Sequence, residues 1–257
     1  MTADRSTGAH DSDRSTTVLK LGGSLITEKD RAETVDEGAL GAAAEAVADH
    51  GGRLAVVHGG GSFGHPYAEA AGISSTVGSH DVPAVMAVHE AMKRLNAAVL
   101  AALHDRDVPA LPVHPFSAAA RDADGALTYP LDAVATMLDE GFTPVLHGDG
   151  VVHAGEGVSV LSGDELVARL GTGLDADRIG LCSTVPGVLD EEGEVIPVVS
   201  SFADVADAVG ASESTDVTGG MAGKVRSLLA VEATAFVFGP AELSAFLAGE
   251  DVGTRIE

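Results

Sequence analysis

Short apolar runs, most of them bounded by glycine, alternate with longer segments of helical period along most of this 257-residue chain. That alternation is typical of βα units, in which strands align in a largely parallel sheet and the connecting helices cover its faces. The chain is also long enough to bury a sizeable core. The sequence therefore predicts an α/β fold around a central, mostly parallel sheet.

The expected elements follow this alternation along the chain. We expect strands at residues 17–21, 54–57, 110–113, 143–146, 178–182 and 235–238. We expect helices at 37–50, 82–104 and 131–140, one that opens in the segment TGGMAGKV and reaches about residue 232, and a last one from Pro240. The run VLDEEGEVIP at 188–197 has two apolar arms around a glycine and predicts a hairpin.

The domain organisation is expected to be simple. Residues 1–16 are small, polar and charged, without an apolar period, so burial cannot offset the cost of ordering them, and we expect a flexible tail. No later linker is long enough to require separate domains. We expect residues 17–257 to form one domain with two lobes on one continuous sheet, one at about 17–160 and the other at about 161–257.

Acidic residues dominate the charge of the chain. Asp and Glu number 39 against 15 Lys and Arg, which gives a formal net charge of -24. Such a charge repels nucleic acid and anionic lipid, so neither is an expected partner. Because 45% of the residues are hydrophobic, a disordered acidic chain is disfavoured. We interpret the composition as that of a halophilic folded protein whose acidic residues cover the solvated surface.

The apolar runs and the cysteine content indicate the compartment. Every uninterrupted apolar run is far shorter than the ~20 residues that cross a bilayer. No basic flank followed by an apolar segment marks a signal peptide near residue 1. The one cysteine, Cys182, cannot form an internal disulfide. We therefore expect a cytoplasmic protein without membrane partners.

Lysine is scarce, and its positions are informative. Only four lysines occur, and three of them lie in or beside glycine-rich segments: Lys20, Lys29 and Lys224, with Lys93 in a predicted helix. A chain that has so few lysines is expected to retain them where a compact ammonium charge is needed. Lys93 is instead expected to be solvated surface.

Three glycine-rich turns are candidates for phosphate binding. They are KLGGS at 20–24, HGGGSFGH at 58–65 and TGGMAGK at 218–224. Glycine lets backbone N–H groups converge on an anion, and a helix N-terminus adds partial positive charge. A single glycine turn can be purely structural. The combination of three turns with two lysines, in a strongly negative chain, favours binding of phosphates.

Two familiar nucleotide motifs do not fit these turns. Gly59, Gly61 and Gly64 match the spacing G-x-G-x-x-G, but the strand that should end in an acidic residue about 20 residues later is missing. A Walker A loop fails because Thr218 stands where its first glycine should be, and a valine follows Lys224. Neither Rossmann-type NAD binding nor a P-loop enzyme is expected.

The segments KLGGSLITEK, HGGGSFGH, HGDG, SGDE and DVTGGMAGK, in this order and at these intervals, resemble the amino acid kinase superfamily. Within it, the loop that ends in His65 resembles that of the archaeal isopentenyl phosphate kinases. The resemblance implies a three-layer αβα sandwich, with the acceptor bound by the first lobe and the nucleotide by the second. It also implies a homodimer, and transfer of the γ-phosphoryl group of ATP, with Mg²⁺, to isopentenyl phosphate to form isopentenyl diphosphate.

The resemblance also implies roles for residues of the first half. Lys20 would contact the transferred phosphoryl group, and Lys29 would stabilise the transition state. Backbone N–H groups of three residues would bind the ATP phosphates: Gly22, Gly23 and Ser24. Gly60 would face the acceptor and Gly61 the nucleotide, while His65 would bond the acceptor phosphate. His65 could otherwise be a helix-start residue, and His58 a buried core residue.

In the second half, the resemblance implies that Asp164 lies between Lys20 and Lys224 and orients both ammonium groups. Asp164 could otherwise be an ordinary helix-capping acid. Gly220 and Lys224 would bind the β- and γ-phosphates. Asp149 in HGDG is a possible acceptor-side residue, although Asp-Gly is also a common hairpin signal. No metal-ligating side chain is expected.

Two other functions stay open. The same fold could phosphorylate another small phosphate or phosphonate, such as fosfomycin, or it could be a non-catalytic nucleotide sensor. Retention of the lysines and Asp164 disfavours a sensor, because a sensor needs the glycine turns but not every transition-state group. Apolar residues of helix 82–104 could line an acceptor pocket, but their spacing equally fits a core-facing helix.

Overall fold

The computed structural model describes residues 15–206 and 220–257. The strands are β1 Thr16–Leu21, β2 Arg53–His58, β3 Ala110–Val113, β4 Ala120–Arg121, β5 Leu127–Thr128, β6 Thr143–His147, β7 Asp149–His153, β8 Gly157–Leu161, β9 Arg178–Cys182, β10 Val198–Val199, β11 Thr234–Phe238 and β12 Thr254–Ile256. The helices are α1 Gly23–Ile26, α2 Glu37–Ala48, α3 Gly61–Ala70, α4 Val82–His104, α5 Asp132–Asp139, α6 Gly163–Gly173, α7 Gly220–Leu229 and α8 Leu243–Leu247.

An eight-stranded sheet organises the molecule, in the order β10-β12-β11-β9-β1-β2-β6-β3. Six neighbouring strands, from β11 to β3, run parallel, and β12 pairs with β11 in the antiparallel sense. This arrangement confirms the α/β fold with a mostly parallel central sheet. A separate four-stranded sheet, β5-β4-β7-β8, was not expected from the sequence.

Two hydrophobic cores cover the two faces of the large sheet. Adjacent residues of β1 point to opposite faces, so Val18 belongs to the core formed with α5, α6 and α7, whereas Leu19 belongs to the core formed with α1 to α4 and α8. The strands between them are buried on both sides. These observations give the three layers, and they place Lys20, which shares the face of Val18, toward α6.

Helices α4 and α6 begin where their sequences provide caps. The Asp81 side chain accepts a bond from the Ala84 amide at the start of α4. At the start of α6, Ser162 and Glu165 form a reciprocal capping box. Buried residues recur along α4 at alternating three- and four-residue intervals: Val85, Val88, Met92, Leu95 and Val99. The expected bounds of α4, 82–104, are therefore confirmed.

Some expected elements differ at their ends. The 188–197 hairpin is reduced to a single antiparallel bridge between Leu189 and Val195. Helix α7 ends at Leu229, before the expected residue 232, and the last helix is preceded by a 3-10 turn at Pro240–Glu242. Strand β1 begins at Thr16, which the sequence places in the tail, and residues 1–14 of that tail lie outside the described residues.

Within the part of the chain that the structure describes, every helix is too short or too polar to cross a membrane.

Candidate active site

The first two glycine turns meet at the carboxyl ends of β1 and β2. The Gly59 amide donates to the Leu21 carbonyl over 3.1 Å, so the chain after β2 runs beside the chain after β1. A Cβ on Gly23 would collide with the backbone of Gly61, and Gly61 itself has a φ of 47°. Glycine is therefore required here for close backbone approach, which brings both turns into one site.

Lys20 and Asp164 form a buried ion pair across the two halves of the chain. Lys20 Nζ lies 2.6 Å from Asp164 Oδ1, and both side chains are 9% exposed. The Lys20 stem passes over Gly163, where a Cβ would lie 3.1 Å from its Cε atom. Because Ser162 and Glu165 cap α6, Asp164 is not the capping acid and is available to hold the ammonium group.

A cleft of about 310 Å³ collects most of the predicted nucleotide-side residues. The predicted residues that line it are Lys20, Gly22, Gly23, Ser24, Lys29, Gly60, His65, Asp164, Gly220 and Lys224. Gly61 does not line the cleft but packs against Gly23, which does. Thr218 and Gly219 fall outside the described residues. The cleft also includes Ser183 and Thr184, which follow directly after β9 but stand in no recognisable motif and were not predicted.

Lys224 lines the cleft from helix α7 but differs from expectation in its contacts. Its Nζ lies 3.5 Å from the carbonyl oxygen of Gly220, one turn earlier in the same helix. Between described residues there is no ion pair joining Lys224 to Asp164, so the expected three-residue arrangement is present here only as the Lys20–Asp164 pair.

The charges of the cleft suit an anion. Three ammonium groups line it, those of Lys20, Lys29 and Lys224, whereas Asp164 contributes the only carboxylate among the described lining residues. Five glycines contribute to the remaining wall, and glycine-rich backbone can present N–H groups to phosphate oxygens. In a chain of net charge -24, this local excess of positive charge is the electrostatic environment that a phosphate-bearing ligand requires.

A small apolar chamber adjoins the cleft. Gly60 and His65 line both spaces, so they stand at the junction between them. The chamber has a volume of about 50 Å³, and its apolar wall includes Ala68, Val88, Met92, Val160 and Leu161. Helix α4 therefore contributes Val88 and Met92 to the chamber, while Leu95 and Val99 pack in the core behind it.

Asp149 borders the chamber, but its carboxylate is occupied by protein groups. Oδ2 accepts from His89 Nδ1 at 2.8 Å, and Oδ1 accepts from the Gly150 amide at 2.7 Å. Burial raises the pKa of Asp149, and the hydrogen bond to Asp149 raises the pKa of His89. The residue thus lies on the predicted acceptor side, where it fixes one end of strand β7.

Two buried histidines end the adjacent strands β2 and β6. His58 and His147 are register partners, and their rings stack with centroids 5.4 Å apart. In each ring, Nδ1 lies against the carbonyl oxygen of the glycine that follows it: His58 against Gly59 at 3.2 Å and His147 against Gly148 at 2.9 Å. The pair therefore fixes the peptides at which both turns leave the sheet.

Burial keeps these histidines neutral. It lowers the pKa of His58 to about 4 and lowers the pKa of His147 well below its usual value. Asn96 from α4 lies 3.1 Å from His58 Nε2, and His114 Nδ1 lies 2.8 Å from His147 Nε2. His58 is thus a fully buried core residue with protein groups against both ring nitrogens, in line with the core alternative that the sequence left open. The His147 contact was missed, although both histidines precede a glycine at a strand end.

No group of three or more His, Cys, Asp or Glu side chains among the described residues could hold a metal ion. The Asp164 carboxylate, which lines the cleft, is already bonded to Lys20. A magnesium ion in this cleft would therefore be held mainly by the phosphates of a nucleotide and by water, which is a common way for proteins to use Mg²⁺.

Comparison with known proteins gives concordant matches. The model of the amino acid kinase family matches residues 15–234. The isopentenyl phosphate kinase of Haloferax volcanii is 64% identical over 93% of this chain and 97% of its own length, and that of Methanothermobacter thermautotrophicus is 33% identical over 93% and 98%. A solved structure of isopentenyl phosphate kinase superposes with a TM-score of 0.82 at 27% identity, over 94% of this chain and 100% of its own.

Proposed function

The chain belongs to the amino acid kinase family, and we propose that it transfers the γ-phosphoryl group of ATP to the phosphate of isopentenyl phosphate. The products are ADP and isopentenyl diphosphate, a precursor for isoprenoid synthesis. The similarity to the Haloferax enzyme over nearly the full length of both proteins supports this acceptor.

The observation that carries the proposal is the junction of two unlike spaces at His65. On one side lies a cleft with three lysines, and on the other a chamber with an apolar wall. A phosphate ester with a short hydrocarbon tail matches both, since its phosphate can lie at the junction and its tail can enter the chamber. Acceptors such as acetylglutamate or carbamate would leave the apolar wall without a complementary group.

Residues of the cleft divide the work of phosphoryl transfer between them. Lys20 contacts the transferred phosphoryl group, and its ammonium group is held in place by the Asp164 carboxylate. Lys29 stabilises the charge that develops on the equatorial oxygens in the transition state. Lys224, with the backbone of Gly220, binds the β- and γ-phosphates and favours departure of ADP.

The remaining phosphate contacts come from backbone groups and one ring. Gly23 and Ser24 present N–H groups to the ATP phosphates. The Gly22 amide differs from the expected role, because it donates to the Cys182 carbonyl over 2.9 Å. Gly60 faces the acceptor, Gly61 supports the nucleotide side, and the His65 ring bonds the acceptor phosphate. These groups align the acceptor oxygen with the γ-phosphorus atom, and alignment is the main requirement of this reaction.

The acceptor requires no strong general base. The second pKa of a phosphate ester is about 6, so its oxygen is largely ionised near neutral pH and can attack the γ-phosphorus directly. The bond between the γ-phosphorus and the bridging oxygen of ATP breaks, and the electron pair leaves with ADP. Mg²⁺, when bound to the ATP phosphates, neutralises part of their charge.

The proposal includes a homodimer that works in a salt-rich cytoplasm. At a net charge of -24, self-repulsion opposes folding at low ionic strength, whereas at about 1 M salt the Debye length is near 3 Å and screening is nearly complete. We expect the melting temperature to rise from low to molar KCl. In molar KCl, sedimentation should give the mass of a dimer. An unchanged melting temperature would contradict the salt requirement, and a monomer would contradict the dimer.

Phosphorus NMR of the product tests the reaction itself. With ATP, Mg²⁺ and isopentenyl phosphate in molar KCl, we expect the monophosphate resonance to be replaced by two coupled diphosphate resonances. Lys20→Met should abolish this conversion. Lys93 is half-buried and pairs with Glu90 outside the cleft, so it supplies the matched control, and Lys93→Met should retain the conversion. Release of inorganic phosphate without diphosphate formation would contradict the proposal.

A further inference from the structure

Lys29 lies on a short hairpin-like loop whose two ends run antiparallel, and not on a strand or helix. The loop spans residues 27–35: an antiparallel bridge joins Thr27 and Val35, and the Glu28 amide donates to the Thr34 carbonyl over 3.0 Å. Lys29 is exposed and lines the cleft. An ammonium group on such a loop can act on a phosphoryl group only if other contacts fix the loop over the cleft.

Glu33, on the other arm of the loop, makes those contacts. Arg94 of α4 donates two hydrogen bonds to the Glu33 carboxylate, from Nε to Oε2 at 2.9 Å and from Nη2 to Oε1 at 2.7 Å. The hydroxyl of Tyr67 in α3 donates to the same carboxylate. The hydrogen bond from Arg94 is the main cause of a lowered pKa at Glu33. One ionised side chain therefore ties the loop to two helices.

The backbone at Glu33 is adapted to this attachment. Its φ is 48°, a left-handed conformation that is uncommon for a residue with a side chain and persists only where surrounding contacts maintain it. Its amide donates to the Ser62 carbonyl over 3.1 Å. In an uninterrupted helix the amide of residue 66 would bond that carbonyl, but residue 66 is proline and has no N–H. Pro66 thus leaves the Ser62 carbonyl available to the loop.

The two helices that Glu33 contacts also form the acceptor side of the site. Helix α3 carries His65 and Ala68, on either side of Tyr67 in the chain. Helix α4 carries Val88 and Met92, just before Arg94. The carboxylate of Glu33 consequently connects the loop of Lys29 with the two helices that line the acceptor chamber. The same contacts therefore fix Lys29 relative to the position expected for the acceptor.

From this geometry, we propose that Glu33 is a positioning residue for phosphoryl transfer, which holds Lys29 over the cleft through Arg94 and Tyr67. The proposal rests on the proposed function, because it assigns Glu33 to the step in which Lys29 acts. The Glu33 and Arg94 side chains are 28% and 49% exposed, and pairs this exposed contribute little to global stability. Their effect is therefore expected in the rate and not in unfolding.

Steady-state kinetics of two Glu33 variants test this role. Glu33→Gln removes the charge, and Glu33→Gly removes the side chain while tolerating the left-handed backbone. We expect kcat to fall about tenfold to hundredfold in both, as for a displaced reacting group, with KM for ATP within about twofold of wild type and an unchanged melting temperature. The control is Glu28→Gln, which breaks an exposed pair with Arg31 in the same loop and should leave kcat unchanged.

A double-mutant cycle with Lys29 separates positioning from a general structural effect. If Glu33 acts through Lys29, Glu33→Gln should lower kcat by less than about twofold in a Lys29→Ala background. A wild-type kcat for Glu33→Gln, or an equal fold-loss with and without Lys29, would overturn the proposal.

Hydrogen exchange of the ligand-free protein provides a readout that needs no turnover. Amides 28–34 should exchange faster in Glu33→Gln than in wild type or in Glu28→Gln. Wild-type exchange in Glu33→Gln would refute the positioning role even if the enzyme is active. Faster exchange in a chain that fails to phosphorylate isopentenyl phosphate would support the role of Glu33 in holding the loop and refute only the acceptor assigned above.

Discussion

Lys20 Nζ and Asp164 Oδ1 lie 2.6 Å apart, although the two residues are 144 positions apart in the sequence. Lys20 is the last residue but one of the central strand β1, and Asp164 lies in the first turn of α6. Both side chains are 9% exposed, so the pair is largely shielded from solvent at the floor of the cleft. One contact therefore joins the two halves of the chain at the position where the phosphoryl group is expected to be transferred.

Replacing Asp164 should impair both stability and rate. Asp164→Ala removes the buried carboxylate that pairs with the Lys20 ammonium group, and breaking a buried pair in this way costs about 3–5 kcal/mol of unfolding free energy. Asp164→Asn keeps the shape and should lower kcat about a hundredfold, because Lys20 is no longer held in line. Urea unfolding and steady-state kinetics in molar KCl measure the two effects. Wild-type kcat in Asp164→Asn would show that the pair is structural only.

His65 should be important for the acceptor and not for the nucleotide. His65→Ala is expected to raise KM for isopentenyl phosphate and to lower kcat, together costing about a hundredfold in kcat/KM, while calorimetric affinity for an ATP analogue changes less than about threefold. His50→Gln is the control, since His50 precedes the amino end of β2, whereas the cleft lies at the carboxyl end of that strand. Equal losses for acceptor and nucleotide would assign His65 a structural role.

Met92 should limit the size of the acceptor tail. Its side chain is buried against Gly64 and lines the chamber, so Met92→Ala enlarges a space of about 50 Å³. We expect kcat/KM to shift toward prenyl phosphates with longer tails, at a stability cost of about 2–5 kcal/mol. Leu95→Ala, on the same helix but in the core, is the matched control: it should cost similar stability without changing selectivity. A selectivity shift in both variants, or in neither, would contradict this assignment.

Acid should destabilise the fold through its buried histidines. The pKa of His58 is lowered from 6.5 to about 4, so the unfolded chain binds a proton that the folded chain excludes. Stability from this group is complete above pH 6.5 and is lost as pH falls toward 4, at about 1.4 kcal/mol per pH unit. Urea unfolding at pH 7.5 and 5 should show a smaller pH dependence for His58→Asn than for wild type. Equal dependence would refute this, and the exposed His80→Asn serves as the control.

Most of the fold follows from local sequence patterns, because each pattern depends on a few neighbouring residues. The bounds of α4 follow from Asp81 and Pro83 at one end and a continuous apolar period to the other. The four-stranded sheet could not be predicted, because β4 and β5 have two residues each and form only through pairing with a distant hairpin.

In the candidate site, too, local features can be predicted from the sequence and long-range contacts cannot. Glycine turns and lysines are visible in the sequence because backbone approach and positive charge restrict residue type. The contact between Glu33 and Arg94 spans 61 positions and carries no local motif, so only the folded chain reveals it. The stacked pair of His58 and His147 is intermediate: each precedes a glycine, but their meeting depends on the adjacency of β2 and β6.

Acceptor selectivity is the most direct test of the proposed function. ADP release from Mg-ATP in molar KCl can be compared for isopentenyl phosphate, acetylglutamate, UMP, carbamate and fosfomycin. We expect kcat/KM for isopentenyl phosphate to exceed that for every other acceptor by about a hundredfold or more, because only this acceptor fills both the lysine-lined cleft and the apolar chamber. Higher kcat/KM for another acceptor, or ATP binding in the same buffer without turnover of any of them, would contradict the assignment.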